Sequence, residues 1–367
     1  MSITSTGTTV VPVHRHLQSL PVHPVGTVPA ALSHEMGTAM IWFLEHRGGA
    51  PLTALPFDTD PRWIIDWLDN LARIPALELA HPGDSRGYDD MPYYRIRPGH
   101  QLTPEDLSMG RVEQTETAFA ILETLDTGGA VDRLQVSIPN AFDRALFASG
   151  SPEAAAEWMP DMQTSVRTEV AEIAARWGER VQLQLETPAV LASYHRTPRE
   201  DWPLLTTELV QQVTGVIGAA PDARWILHLC YGDLEHQALF TLVDLDAAVQ
   251  FLNALAEALA AYGIPMPTVH LPVAYGNAAP PTNPGFFRAL LWLRRGIRII
   301  AGVVSEDYPT QSSVALSLII DALGEPVEAI AAGCGHGRRT VTAAAANMAL
   351  AARLAHEWSP AQTRRSA

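Results

Sequence analysis

The chain has 367 residues, 47% of them apolar, with a formal net charge of −15 and a pI of about 5.2. Such an apolar share supplies a large core and excludes a disordered composition, while the acidic balance excludes a basic surface that tracks nucleic-acid phosphates. No apolar run approaches the ~20 residues of a membrane span, and the first twenty residues lack the basic and apolar segments of a secretion signal. Two cysteines, Cys230 and Cys334, do not make a disulfide framework. A cytoplasmic location is therefore expected, and the two thiols are either small buried hydrophobes or parts of a site.

Residues 1–20 are polar and mixed and are expected to form a flexible arm. The segment 21–360 is expected to be one domain. Short apolar or β-branched runs predict strands at 23–29 and 51–57, followed by a helix at 60–74 with Asp60 as N-cap and Pro61 in the first helical position. The run 76–81 is a possible further strand, and 81–114 reads as a long excursion carrying the aromatic-basic cluster Tyr93, Tyr94, Arg95 and Arg97. A strand at 134–139, a helix opening at Ser151 and strands at 181–186 and 225–232 come next. The helix 244–263 runs from an acidic cap to a glycine stop. Strands at 268–274, 297–304 and 328–335 then alternate with helices at 283–296, 310–324 and 340–358.

The predicted strands are short and mostly unalternating, as strands covered on both faces should be. Strands alternating with helices imply a parallel sheet, and eight of them imply a closed (β/α)8 TIM barrel of the α/β class, which tolerates a long excursion. Two tryptophan- and leucine-bearing stripes, within 63–71 and 286–293, have helical spacing and are expected to face the core. The second of them is alternatively an interface helix, so the oligomeric state stays open.

His228 and Cys230 stand two apart on one predicted strand, so both side chains point to one side. Cys334 closes the last predicted strand in the glycine-rich segment GCGHGRR. Three such donors from two strand ends suit a tetrahedral zinc ion with a fourth position left for substrate. Packed core cysteines beside a buried histidine are the alternative.

These residues resemble the catalytic barrel of cobalamin-independent methionine synthase, in the superfamily that also holds uroporphyrinogen decarboxylase. The resemblance lies in HLCYGD at 228–233 and GCGHGRR at 333–339, with QLETP at 184–188 and PVGTVP at 24–29 as further matches in the same order. Short single-barrel relatives share a motif similar to HLPV at 270–273.

The resemblance implies Zn(2+) held by His228, Cys230 and Cys334, which binds a thiol as thiolate for attack on a methyl or other small alkyl group. It places Glu186 where the family receives a substrate amino group, and Val25, Gly26 and Thr27 on the loop that receives a carboxylate. The family's fourth ligand, a glutamate on the seventh strand, is missing. His270 is the substitute expected here, with Glu306 and Asp307 next. The family's folate-stacking tryptophan is also missing from the segment 137–147, so the alkyl donor stays open. Arg338 and Arg339 are candidates for an anionic substrate group, Tyr231 and Asp233 are expected to border the site, and His336 is a candidate acid. The expected partners are a small-molecule thiol and an alkyl donor, with no nucleic acid and no membrane. A zinc lyase or hydrolase using metal-bound water and a non-catalytic metabolite-binding relative are the competing readings.

Overall fold

A computed structural model describes residues 19–87 and 90–358. Most of the expected flexible arm lies outside the described residues. Ser19 and Leu20, its last two members, are buried instead, and the Leu20 amide donates to the Ala355 carbonyl at 3.0 Å.

The strands are β1 (Val22–His23), β2 (Leu55–Pro56), β3 (Leu77–His81), β4 (Tyr93–Ile96), β5 (Leu134–Pro139), β6 (Val181–Glu186), β7 (Arg224–His228), β8 (Thr268–Pro272), β9 (Ile299–Val304) and β10 (Ala329–Ala332). The helices are α1 (Met36–His46), α2 (Ile65–Asn70), α3 (Arg111–Leu122), α4 (Ala141–Ser149), α5 (Pro152–Trp177), α6 (Pro188–Arg196), α7 (Trp202–Ile217), α8 (Asp246–Ala261), α9 (Pro309–Leu323) and α10 (Val341–Glu357). Eight strands pair in parallel in the order β1-β10-β9-β8-β7-β6-β5-β2. A parallel bridge between Val22 and Leu52 joins the two edges, with Val22 bonded to Pro51 and Thr53 on the next segment. The fold is the expected TIM barrel. No helix among the described residues is long and apolar enough to cross a membrane.

All eight predicted barrel strands are present; β5 and β6 keep the expected bounds and the other six are shorter. The ninth candidate, 76–81, leaves the barrel and pairs antiparallel with β4 inside the excursion. The excursion is held down by Arg144 of α4, a buried guanidinium that donates to the Leu107 carbonyl and lies 4.3 Å over the Trp67 ring. Helix α5 starts as expected, with the Ser151 hydroxyl accepting from the Ala154 amide at 3.2 Å and Pro152 at the first position.

The expected helix at 60–74 is shortened to α2 and one following 3-10 turn. Asp60 is not its N-cap residue but still serves its first turn, accepting the Asp66 amide at 3.0 Å from six residues upstream. The segment 283–296 forms a 3-10 helix, Pro284–Trp292. Its Phe286, Phe287 and Leu290 are buried, but Leu291 and Trp292 are exposed, so only part of that stripe faces the core.

The strands have two distinct faces. On β6, Val181, Leu183 and Leu185 join the main core under the helices, while Gln182 and Gln184 turn into the barrel and bond to Gln135 and His23. This corrects the expectation of unalternating strands for β6. A second apolar cluster of Val25, Ile226, Ile300, Ala329 and Ala331 shares the interior with that polar network. Burial, then the charge of His228, holds His23 down at about 3, so the interior histidine is neutral.

Candidate metal centre and its cavity

Sheet register sets the first part of the site. Glu186, His228 and His270 are register partners across β6, β7 and β8, so their side chains share one level of the barrel interior. Cys230 follows His228 by two residues, beyond the strand end. Cys334 is brought in differently. The ladder between β10 and β9 slips between Ala331 and Ala332, which bends the strand end. Gly333 lets the chain pass so close to β8's exit that a Cβ there would lie 1.8 Å from the Ala274 carbonyl oxygen.

The two sulfur atoms stand 3.9 Å apart, and the donor atoms of His228, Cys230 and Cys334 all lie within 4.8 Å of one another. Two sulfurs on one tetrahedral zinc, each at about 2.3 Å from the ion, are ~3.8 Å apart. The spacing and the donor chemistry therefore fit that ion. Contact with Cys334 and burial push the Cys230 thiol up. The same contact, helped by His228 and the charge of Arg338, pulls Cys334 well below the usual thiol range.

His270 does not join these three donors. Its Nε2 lies 2.9 Å from the Ala332 carbonyl oxygen, which only accepts, so the proton is on Nε2. Burial, followed by the charges of His228 and His23, holds this ring well below the ordinary histidine value, hence neutral. Its Nδ1 is then an acceptor, and His228 Nδ1, 2.6 Å away, must be the donor. The hydrogen-bond network thus assigns the tautomer of His228 and leaves its Nε2 as the accepting nitrogen, turned towards Cys334. Gly302 makes room for this arrangement, since a Cβ there would lie 2.6 Å from His270 Nε2. Glu306 and Asp307 are not among the three donors either. Both Glu306 oxygens are taken, by Arg339 Nε at 2.7 Å and Asn347 Nδ2 at 2.6 Å, and Asp307 is exposed.

A cavity opens over the sulfurs. Cys230, Cys334, Asp233 and Arg338 line one side of it, and Val25, Gly26 and Thr27 line another part. Thr27 Oγ1 and Asp233 Oδ2 are buried without a partner among the described residues. Burial raises Asp233, against a bond from His236 to its other oxygen.

Another part of the wall carries Asp58, Trp63, Arg111, Ser137 and Glu186. Asp58 accepts from Arg111 Nη1 and from Ser137 Oγ, both at 2.8 Å. Glu186 accepts from Gln184 Nε2 at 3.0 Å and from Trp63 Nε1 at 2.5 Å. Burial, then the charge of Asp58, raises the Glu186 carboxyl above its ordinary value.

Three expected site residues lie elsewhere. Tyr231 is buried against Phe240 and faces a separate cavity near Trp202 and Arg199. His336 is buried against Trp42 and Phe43. Arg339 is committed to Glu306 and the Gly335 carbonyl. The Tyr93 cluster borders another pocket, beside His81. Asp58, Trp63, Arg111 and Ser137 were not foreseen. Asp58 had a signal, because it directly follows the second predicted strand, where barrel enzymes carry functional groups.

No protein-family model matches the chain, and no curated protein matches its sequence. Among solved structures, it is similar to a B12-independent methionine synthase from Shewanella sp. W3-18-1, solved in complex with selenomethionine. The TM-score is 0.58 at 13% identity, covering 95% of this chain and 98% of the other. A methyltransferase from Methanosarcina mazei aligns more loosely, at a TM-score of 0.45 and 11% identity, covering 91% of this chain and 93% of that one. The chain therefore has a methionine synthase-like TIM-barrel fold.

Proposed function

We propose that this chain is a zinc-dependent transferase that moves a methyl or other small alkyl group onto the sulfur of an amino-acid-like thiol. One observation carries the reading. The only two sulfhydryls of the sequence and a ring nitrogen of His228 converge at the mouth of a methionine synthase-like barrel.

His228, Cys230 and Cys334 would hold the zinc, which leaves one tetrahedral position for substrate. Bound zinc supplies a lowered thiol pKa, so that a sulfur nucleophile is available at neutral pH. His270 keeps His228 in the tautomer that presents Nε2. Glu186, acceptor-only when ionised, would receive the substrate ammonium group. Thr27 and Arg338 would meet its carboxylate, and Asp233 would border the reacting sulfur.

Purified protein is expected to contain about one zinc per chain. Cobalt-substituted protein should gain a sulfur-to-metal charge-transfer band on addition of L-homocysteine. Protein without zinc, or a cobalt spectrum indifferent to thiols, overturns the reading.

A further inference from the structure

We propose that Trp63 is a positioning residue that acts through Glu186 and makes the cavity prefer thiols bearing an amine. The proposal rests on the reading of Glu186 given above and extends it to a residue the sequence places among core-facing positions.

Trp63 has φ +76, a left-handed backbone that a bulky side chain rarely adopts. Such a conformation persists where its surroundings over-determine it, and here they do. The Asp60 carboxylate accepts the Arg62 amide at 2.8 Å and the Asp66 amide at 3.0 Å, and the Trp63 amide donates to the Asp60 carbonyl at 3.3 Å. The turn is also pressed against the loop that carries Cys334. A Cβ at Gly337 would lie 2.0 Å from the Pro61 carbonyl oxygen, so only glycine permits this approach. The indole then rests edge-on against Phe147, with ring centroids 5.5 Å apart.

The product of these constraints is one hydrogen bond, from the indole N–H to Glu186 Oε2. With Gln184 on Oε1, both carboxylate oxygens are tethered and the plane of the group is fixed before any ligand arrives. A tethered carboxylate loses less freedom on meeting an ammonium group than a free one does. Asp58 differs from Glu186 in being already paired with a cation, the Arg111 guanidinium at 2.8 Å.

The test compares L-homocysteine with 4-mercaptobutanoate, which lacks only the amine, by titration into the cobalt-substituted protein. Trp63→Phe keeps a ring against Phe147 and removes the N–H. It should weaken homocysteine about tenfold and leave 4-mercaptobutanoate within about twofold. Glu186→Gln should abolish the preference altogether. Equal weakening of both thiols by Trp63→Phe, or no weakening, overturns the role of Trp63. A wild type that binds both thiols equally overturns the assignment of Glu186, and the proposal with it. Cobalt that responds to neither thiol overturns the transferase reading itself.

Discussion

The two walls of the cavity are assembled in different ways. On the sulfur wall, His228 lies on a barrel strand, Cys230 just beyond its end and Cys334 just past the last strand, so sheet register and one ladder slip place all three. On the carboxylate wall only Ser137 and Glu186 are strand-borne. Asp58 and Trp63 come from the segment after β2, and Arg111 from the start of α3. These are joined by side-chain bonds spanning 53 residues from Asp58 to Arg111 and 123 from Trp63 to Glu186. The sulfur wall brings three donor atoms within 4.8 Å of one another, whereas on the carboxylate wall Asp58 is already paired with Arg111.

That difference predicts where each wall breaks. The largest effect is expected on the sulfur wall. Cys230→Ser or Cys334→Ser removes a soft donor and should reduce zinc from about one per chain to near none by elemental analysis. On the other wall, Arg111→Met strands a buried Asp58 carboxylate and should cost about 3–5 kcal/mol in urea unfolding. Adding Asp58→Leu should recover much of that loss.

Asp143, buried behind Glu186, gives a pH-dependent version of the same contrast. Burial holds its carboxyl up at about 7 from 3.8. A raised folded-state value means that the folded chain binds the extra proton. The stabilisation from that proton is complete below pH 3.8 and is lost as pH rises through 7. At about 1.4 kcal/mol per unit, the loss amounts to at most roughly 4 kcal/mol, and Asp143→Asn should flatten that part of the stability profile. The smallest effect is expected for His270→Leu, which removes the acceptor that fixes the His228 tautomer. Zinc affinity should fall about 10–100-fold while two sulfur ligands remain.

The same contrast explains what the sequence revealed. Along a strand, side chains repeat every two residues, so His228 and Cys230 could be paired on one side from spacing alone. Cys334 could be added because it ends the last strand. The eight barrel strands were legible for a related reason, since most are compact apolar runs between turn signals and β6 alternates with a period of two. His270 was misread as a donor because spacing puts it at the right level of the barrel but says nothing about which nitrogen the Ala332 carbonyl occupies. Trp63 packs against the core as its stripe implies, but from a left-handed turn ahead of the helix, which the approach of Gly337 to Pro61 and the bond to Glu186 hold in place. Arg111 sat within a segment read only as an excursion, where local pattern does not disclose a partner 53 residues away.

X-ray absorption at the zinc edge tests the central claim most directly. The account predicts two sulfur neighbours at about 2.3 Å and one nitrogen at about 2.0–2.1 Å in the resting protein, with a third sulfur after L-homocysteine is added. A first shell without sulfur, or one unchanged by every thiol offered, would contradict it.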